Sequence, residues 1–314
     1  MKSLKLTTGA MVTAIFGVML LLNRQTGSLF QEVFLFLYPI PMVAYAARYG
    51  LKSGIPALIA MSLLSVLLGN VASVFYAVTQ AFIGLVFGGC LYHKVDMTKI
   101  LFAVMILSSA VNVVDIAVLG AVTGFDLNRE VEEMQKMMNP IFEQSGMVVP
   151  ETMMAAGYLK QIFVVSMIVL GSVQGFLVYE VSLLILRRLR FPVQKPKSLL
   201  FYVPPKWTGY GAMLSLFCYS TGMTQPFENE GLQNAMLTIG TFGYIYLICF
   251  GFIAILLTLK LYFPKLGFLR VVLCVAVLFL FPMLEMMAGF IYIVSRYHQH
   301  LIEQYQLSQG QASR

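Results

Sequence analysis

FLYPIPMVAYAARYG, residues 36–50, sits in an apolar run long enough to cross a bilayer, and Pro39 and Pro41 fall near the middle of that run. Proline has no backbone N–H, so the carbonyls of Leu35 and Leu37 lose their helical partners and the rings bend or break the helix. Ile40 is also pushed away from the helical region by the proline that follows it. Lipid offers no replacement donor, so carbonyls freed at this depth must meet protein, water or a ligand. Two readings follow. One is a broken helix lining the central site of a transporter. The other is a proline kink stabilised by neighbouring helices.

The surrounding sequence makes the bilayer the relevant solvent. The chain has 314 residues, 59% of them hydrophobic and 11% charged, whereas a soluble domain is about a quarter charged. The apolar residues gather in blocks of roughly 18 to 25, the length of a membrane-spanning helix. The blocks lack the period-two alternation of a transmembrane barrel. They run over 6–23, 29–47, 53–69, 71–92, 100–124, 160–186, 207–224, 235–260 and 268–295. The expected fold is therefore an all-α polytopic membrane protein of about nine spans. KSLK at 2–5 precedes the first block as it would in a signal peptide. No small-residue cleavage site follows, so the block reads as the first helix.

Lysine and arginine orient the chain. With the N-terminus cytoplasmic, 15 of the 21 Lys and Arg fall on the inner side and 6 on the outer, as the positive-inside rule requires. The net charge of +7 is then a property of cytoplasmic loops, and no nucleic-acid partner is needed to explain it. Two polar segments divide the chain. The outer one, 125–159, contains NREVEEMQKMMNPIF, which places Val131, Met134, Met138 and Ile141 on one helical face. Asn128 is the expected cap and Pro140 the expected end of that helix, which either lies on the membrane surface or is a solvated loop. The inner segment RRLRFPVQKPKSLLFYVPPK, 187–206, reads as a basic, proline-rich linker with Tyr202 and Trp207 at headgroup depth. It separates a six-helix bundle (1–190) from a three-helix segment (207–314).

Chemistry-bearing motifs are sparse. No phosphate-binding G-x-x-x-x-G-K-[ST] is present. Cys90, Cys218, Cys249 and Cys274 are scattered, which supports neither a zinc site nor a disulfide framework, and they read as small core hydrophobes. His298 and His300 read as solvated residues near a helix end. No nucleophile–base pair or cofactor motif stands out, so the expectation is a protein that is not an enzyme and holds no cofactor or metal.

Three acids stand inside spans: Asp115, Glu180 and Glu285. A mid-helix acid costs about 2.5 to 3.5 kcal/mol on insertion scales and must turn away from lipid. Glu180 lies near Arg187 and Arg188 and reads as structural. Asp115 shares a face with Asn112, three residues earlier, and Gln80 and Gln174 lie at similar depth. These polar residues, with Pro39, Pro41 and Glu285, are the candidate ligand contacts. Interhelical hydrogen bonds of about 0.6 to 2 kcal/mol each are the alternative. Three G-x-x-x-G pairs, Gly84/Gly88, Gly120/Gly124 and Gly171/Gly175, read as close helix contacts. Gly9, Thr13 and Gly17 form a further stripe on the first helix, with Ala10 and Ala14 beside it.

LYPIPMVAYAARYGLKSG after GAMVTAIFGVMLLL, together with PPKWTGYGAM and FPMLEMMAGFIYIVSRY, resembles the YybS-like family of bacterial membrane proteins, whose domain carries no assigned function. The first six spans are more distantly similar to the S components of energy-coupling-factor transporters. That resemblance implies a cavity opening outward, a small-molecule ligand, and a membrane coupling subunit docked on an A-x-x-x-A face, here Ala10 and Ala14. A non-catalytic scaffold or envelope-assembly factor is the alternative function.

Overall fold

Capping chemistry decides where the apolar blocks become helices. The computed structural model describes residues 2–124, 126–145, 156–193, 204–224, 229–263, 266–267, 269–295, 297–301 and 303–304. Helix α1 (Lys2–Gln25) is followed by two short helices, α2 (Gln31–Leu37) and α3 (Pro39–Tyr49). Gly50, at φ +80°, turns the chain into α4 (Leu51–Leu68), a conformation that favours glycine. Asn70 opens α5 (Val71–Tyr92) with a capping box: its Oδ1 accepts from the Ser73 N–H at 2.7 Å and its N–H donates to Ser73 Oγ at 2.9 Å. Asp96 caps α6 (Met97–Thr123) by accepting from the Thr98 N–H. Then come α7 (Leu127–Ser145), α8 (Ala156–Arg188), α9 (Lys206–Thr224), α10 (Glu230–Tyr262), α11 (Leu269–Leu280) and α12 (Pro282–Val294). Among the described residues there is no strand.

Six of these helices are long and apolar enough to cross a membrane: α1, α4, α5, α6, α8 and α10, with α11 and α12 a seventh if that bent pair is one span. Two of the nine expected spans fall outside this set. Residues 29–47 divide at Tyr38 into helices of 7 and 11 residues. The block at 207–224 forms the 19-residue α9, but its Gly, Ser and Thr dilute its hydropathy.

Several local expectations need correction. Helix α7 runs through Pro140 to Ser145. Its first turn is capped by Asp126, which accepts from the Asn128 N–H, and not by Asn128. Gly124 does not pack against a helix: it is the left-handed C-cap of α6, with open space around it. Cys274 is buried, but Cys249 is exposed. His298 is buried, with Nδ1 3.0 Å from the Tyr292 carbonyl oxygen, so it ties down the end of α12 and is not solvated. Trp207 is exposed at the start of α9; Tyr202 and most of the basic linker, 194–203, lie outside the described residues.

The chain divides into two compact units, Met1–Glu130 with Ser166–Lys197, and Val131–Val165 with Ser198–Arg314. In the first, glycines set the spacing. A Cβ at Gly84 of α5 would run into the Pro39 carbonyl, and one at Gly88 would lie 2.6 Å from the Val43 oxygen. Thus α5 rests directly on the backbone of α3. Gly171 and Gly175 do the same for α8 on α6, where a Cβ would come within 2.5 Å of Ser109 Cα and 2.8 Å of Met105 Cα. In the second unit, Gly240 and Gly243 of α10 admit Tyr219 and Ser215 of α9, and Gly251 admits α12.

Candidate functional site

The polar residues of the first unit gather toward the end where α1 and α6 finish and α2 and α5 begin. Asn70 Nδ2, at the start of α5, donates to Ser28 Oγ just past α1, which fixes these ends together. About two to three turns further along α5 stand Tyr76, Thr79 and Gln80. Thr79 Oγ1 lies 3.0 Å from Asp115 Oδ2 of α6 and 2.9 Å from the Phe75 carbonyl oxygen. A hydroxyl has one proton, so it serves one of these acceptors at a time. Asp115 and Glu32 of α2 both lie within electrostatic reach of Tyr76.

On the next turn of α6, Asn112 Nδ2 donates to Gln174 Oε1 of α8 at 3.1 Å. Ser109 Oγ lies 2.8 Å from the Ile168 carbonyl and 2.8 Å from Ser172 Oγ. These bonds depend on Gly171, where any side chain would push α8 away from Ser109 and Asn112. Asn112 and Asp115 therefore share a face of α6 but reach different partners, one on α8 and one on α5.

Several polar atoms in this unit are buried with nothing to bond. Among the described residues they are Gln80 Oε1, Gln174 Nε2, Ser108 Oγ, Ser182 Oγ, Asn23 Oδ1 and the Tyr38 hydroxyl. Asp115 is 2% exposed and Gln80 1%. A buried polar atom left unsatisfied costs about 1 to 3 kcal/mol, so several together call for an explanation. Tyr38 stands at the break between α2 and α3, with its hydroxyl close to the Asn23 side chain of α1. Gln80 is one turn before Gly84 on the face of α5 that meets Pro39.

Pro39 and Pro41 follow the junction of α2 and α3, in the first turn of α3. Both are buried, and Tyr38 keeps right-handed helical angles, φ −54° and ψ −37°. The chain passes through the junction without unwinding, and it is the Pro39 carbonyl that lies against Gly84. A neighbouring helix braces the kink, while unpaired polar atoms lie one turn away. Thr79, Tyr76, Ser109 and Ser172 were not anticipated from sequence. Thr79 had one signal, its place directly before Gln80. The serines had none, because a helical Ser ordinarily bonds its own i−4 carbonyl.

Two other candidate regions are placed elsewhere. Ala10 and Ala14 are exposed along an apolar groove of about 750 Å³ between α1 and α4, bordered also by Gly17, Pro56, Ala60 and Leu64. Glu285 belongs to the second unit, and Glu180 is exposed.

A family model for predicted membrane proteins, DUF2232, matches residues 14–291. The chain belongs to the DUF2232 family. The match takes in Pro39, Gln80, Asn112, Asp115, Gln174 and Glu285, while Ala10 precedes it. No curated protein and no solved structure matches the chain. With its apolar helices and this family membership, the protein is a membrane protein in contact with lipid bilayer.

Proposed function

We propose that the first unit is a non-catalytic binding module for a small polar solute, set in a bacterial cytoplasmic membrane with its N-terminus inside. The observation that carries this reading is the pair of unpartnered atoms, the Gln80 acceptor and the Gln174 donor, buried on the two helices, α5 and α8, that hydrogen-bond to α6, which carries the buried Asp115 carboxyl. An acceptor, a donor and an acid suit a solute that carries both hydrogen-bond donors and acceptors. The orientation is supported by the lysine and arginine distribution. Lys5 and Arg48 also both sit over the Tyr49 ring at the opposite end of the unit, 5.8 and 5.6 Å from its centroid. The site then faces outward, as the likeness to transporter S components implies.

The test is Asp115→Asn in the purified full chain. A fractionated metabolite extract should raise the melting temperature of the wild type and not that of the variant, with the unliganded melting temperatures close together. An equal response in both proteins would remove Asp115 from the site. The likeness to S components implies a coupling subunit, and the groove beside Ala10 and Ala14 suits a transmembrane helix of that partner. Replacing both alanines with leucine fills that groove, so co-purification of a membrane partner should drop while the fold is kept. Unchanged co-purification would dismiss this face.

A further inference from the structure

Pro282 opens α12 directly after a break. Phe281 leaves the helix at φ −139° and ψ 60°, and α11 and α12 are bent by 107° across it. The expected span 268–295 is therefore not one rod. Past the bend α12 has two faces: Leu284, Met287 and Ile291 are exposed, whereas Glu285, Gly289 and Tyr292 are buried. Gly251 of α10 receives the Glu285 backbone carbonyl, and Gly289 receives that of Leu247; a Cβ at either glycine would collide. This contact holds Glu285 at 0% exposure, and neither carboxyl oxygen has a hydrogen-bond partner.

Among the described residues, the titratable groups shown within electrostatic reach of Glu285 are Tyr244 and Cys249 on α10 and Cys274 on α11. From α9, Tyr210 packs on Phe290 of α12. None of these carries positive charge. A bare carboxylate in such surroundings is prohibitively costly, so a positive ion must accompany it or the group must be neutral. A hard metal ion takes six or more oxygens, and these neighbours offer a phenol and two thiols. A proton needs one oxygen.

We propose that Glu285 is a proton-binding site of the second unit, loaded while α12 lies on α10, with the bend at Phe281 turning the acid away from lipid. The site is independent of the solute site in the first unit. Infrared spectroscopy of the full chain at neutral pH tests it, because solvated Asp and Glu are ionised there. The C=O stretch of a protonated carboxyl, sensitive to deuterium exchange, should appear in wild type and weaken in Glu285→Gln. Loss of carboxylate intensity in the variant, with the protonated band unchanged, would overturn the proposal.

A second measurement covers the case in which the glutamine variant folds poorly. A carboxyl that must stay protonated in the folded chain lowers stability as pH rises past the ordinary carboxylate range. Melting temperature should therefore fall with rising pH more steeply in wild type than in Glu285→Met, which matches the neutral acid in size. Parallel curves would also overturn it.

Discussion

Gly84→Val is expected to lower the melting temperature of the first unit in the purified protein by roughly 6 to 12 °C, the shift that corresponds to about 3 kcal/mol in a compact unit of that size. Valine at this position has nowhere to go. Its Cβ would enter the Pro39 carbonyl and come within 3.1 Å of Met42 Cβ. The usual relief for overpacking is movement of a flexible side chain, but here the obstacle is backbone. Relief would therefore require α3 to move off α5, breaking the contact that braces the kink. Gly88→Val should behave alike, since its Cβ meets the Val43 oxygen and the Ala47 nitrogen. Gly211→Val is the control: it is exposed on α9 with open space around it, and its melting temperature should stay near that of wild type. Equal shifts for Gly84→Val and Gly211→Val would mean that α3 and α5 do not pack as described.

Gln80→Met should make the empty protein more stable and a poorer binder. The Gln80 side-chain oxygen is buried and unbonded, so removing it relieves a cost of roughly 1 to 3 kcal/mol in the absence of ligand. If a solute donates to that oxygen, the same substitution removes one hydrogen bond from a desolvated site and weakens binding by roughly 10- to 100-fold. Opposite signs for stability and binding are the mark of a polar atom kept for a ligand. Two readouts decide it, the melting temperature without solute and the amount of solute retained. Loss of stability with unchanged retention would make Gln80 a packing residue whose oxygen is satisfied within the protein.

The sequence disclosed the solvent, the helices and the interruption, because each follows from local chemistry. Block length marks a span, Pro39 removes a donor, and the spacing of Gly84 and Gly88 marks a close contact. It did not disclose which helix each polar residue would meet. Asn112 and Asp115 lie three residues apart, and nothing local assigns one to Gln174 and the other to Thr79; that depends on how α5, α6 and α8 are arranged around them. The bend at Phe281 was legible in principle, since a residue before proline leans away from helix. A continuous apolar block hid it. Burial of His298 was not legible, because it depends on the chain folding back toward Tyr292.

The unpartnered atoms of Gln80 on α5 and Gln174 on α8, with the Asp115 carboxyl of α6, are proposed here as the contacts of one solute. Untargeted mass spectrometry of small molecules released from the protein, purified in mild detergent, tests this most directly. Wild type should release one polar solute in near-stoichiometric amount, and Asp115→Asn, prepared in parallel, should release little of it. The same small molecules in the same amounts from both proteins, or nothing above detergent and lipid, would contradict the claim.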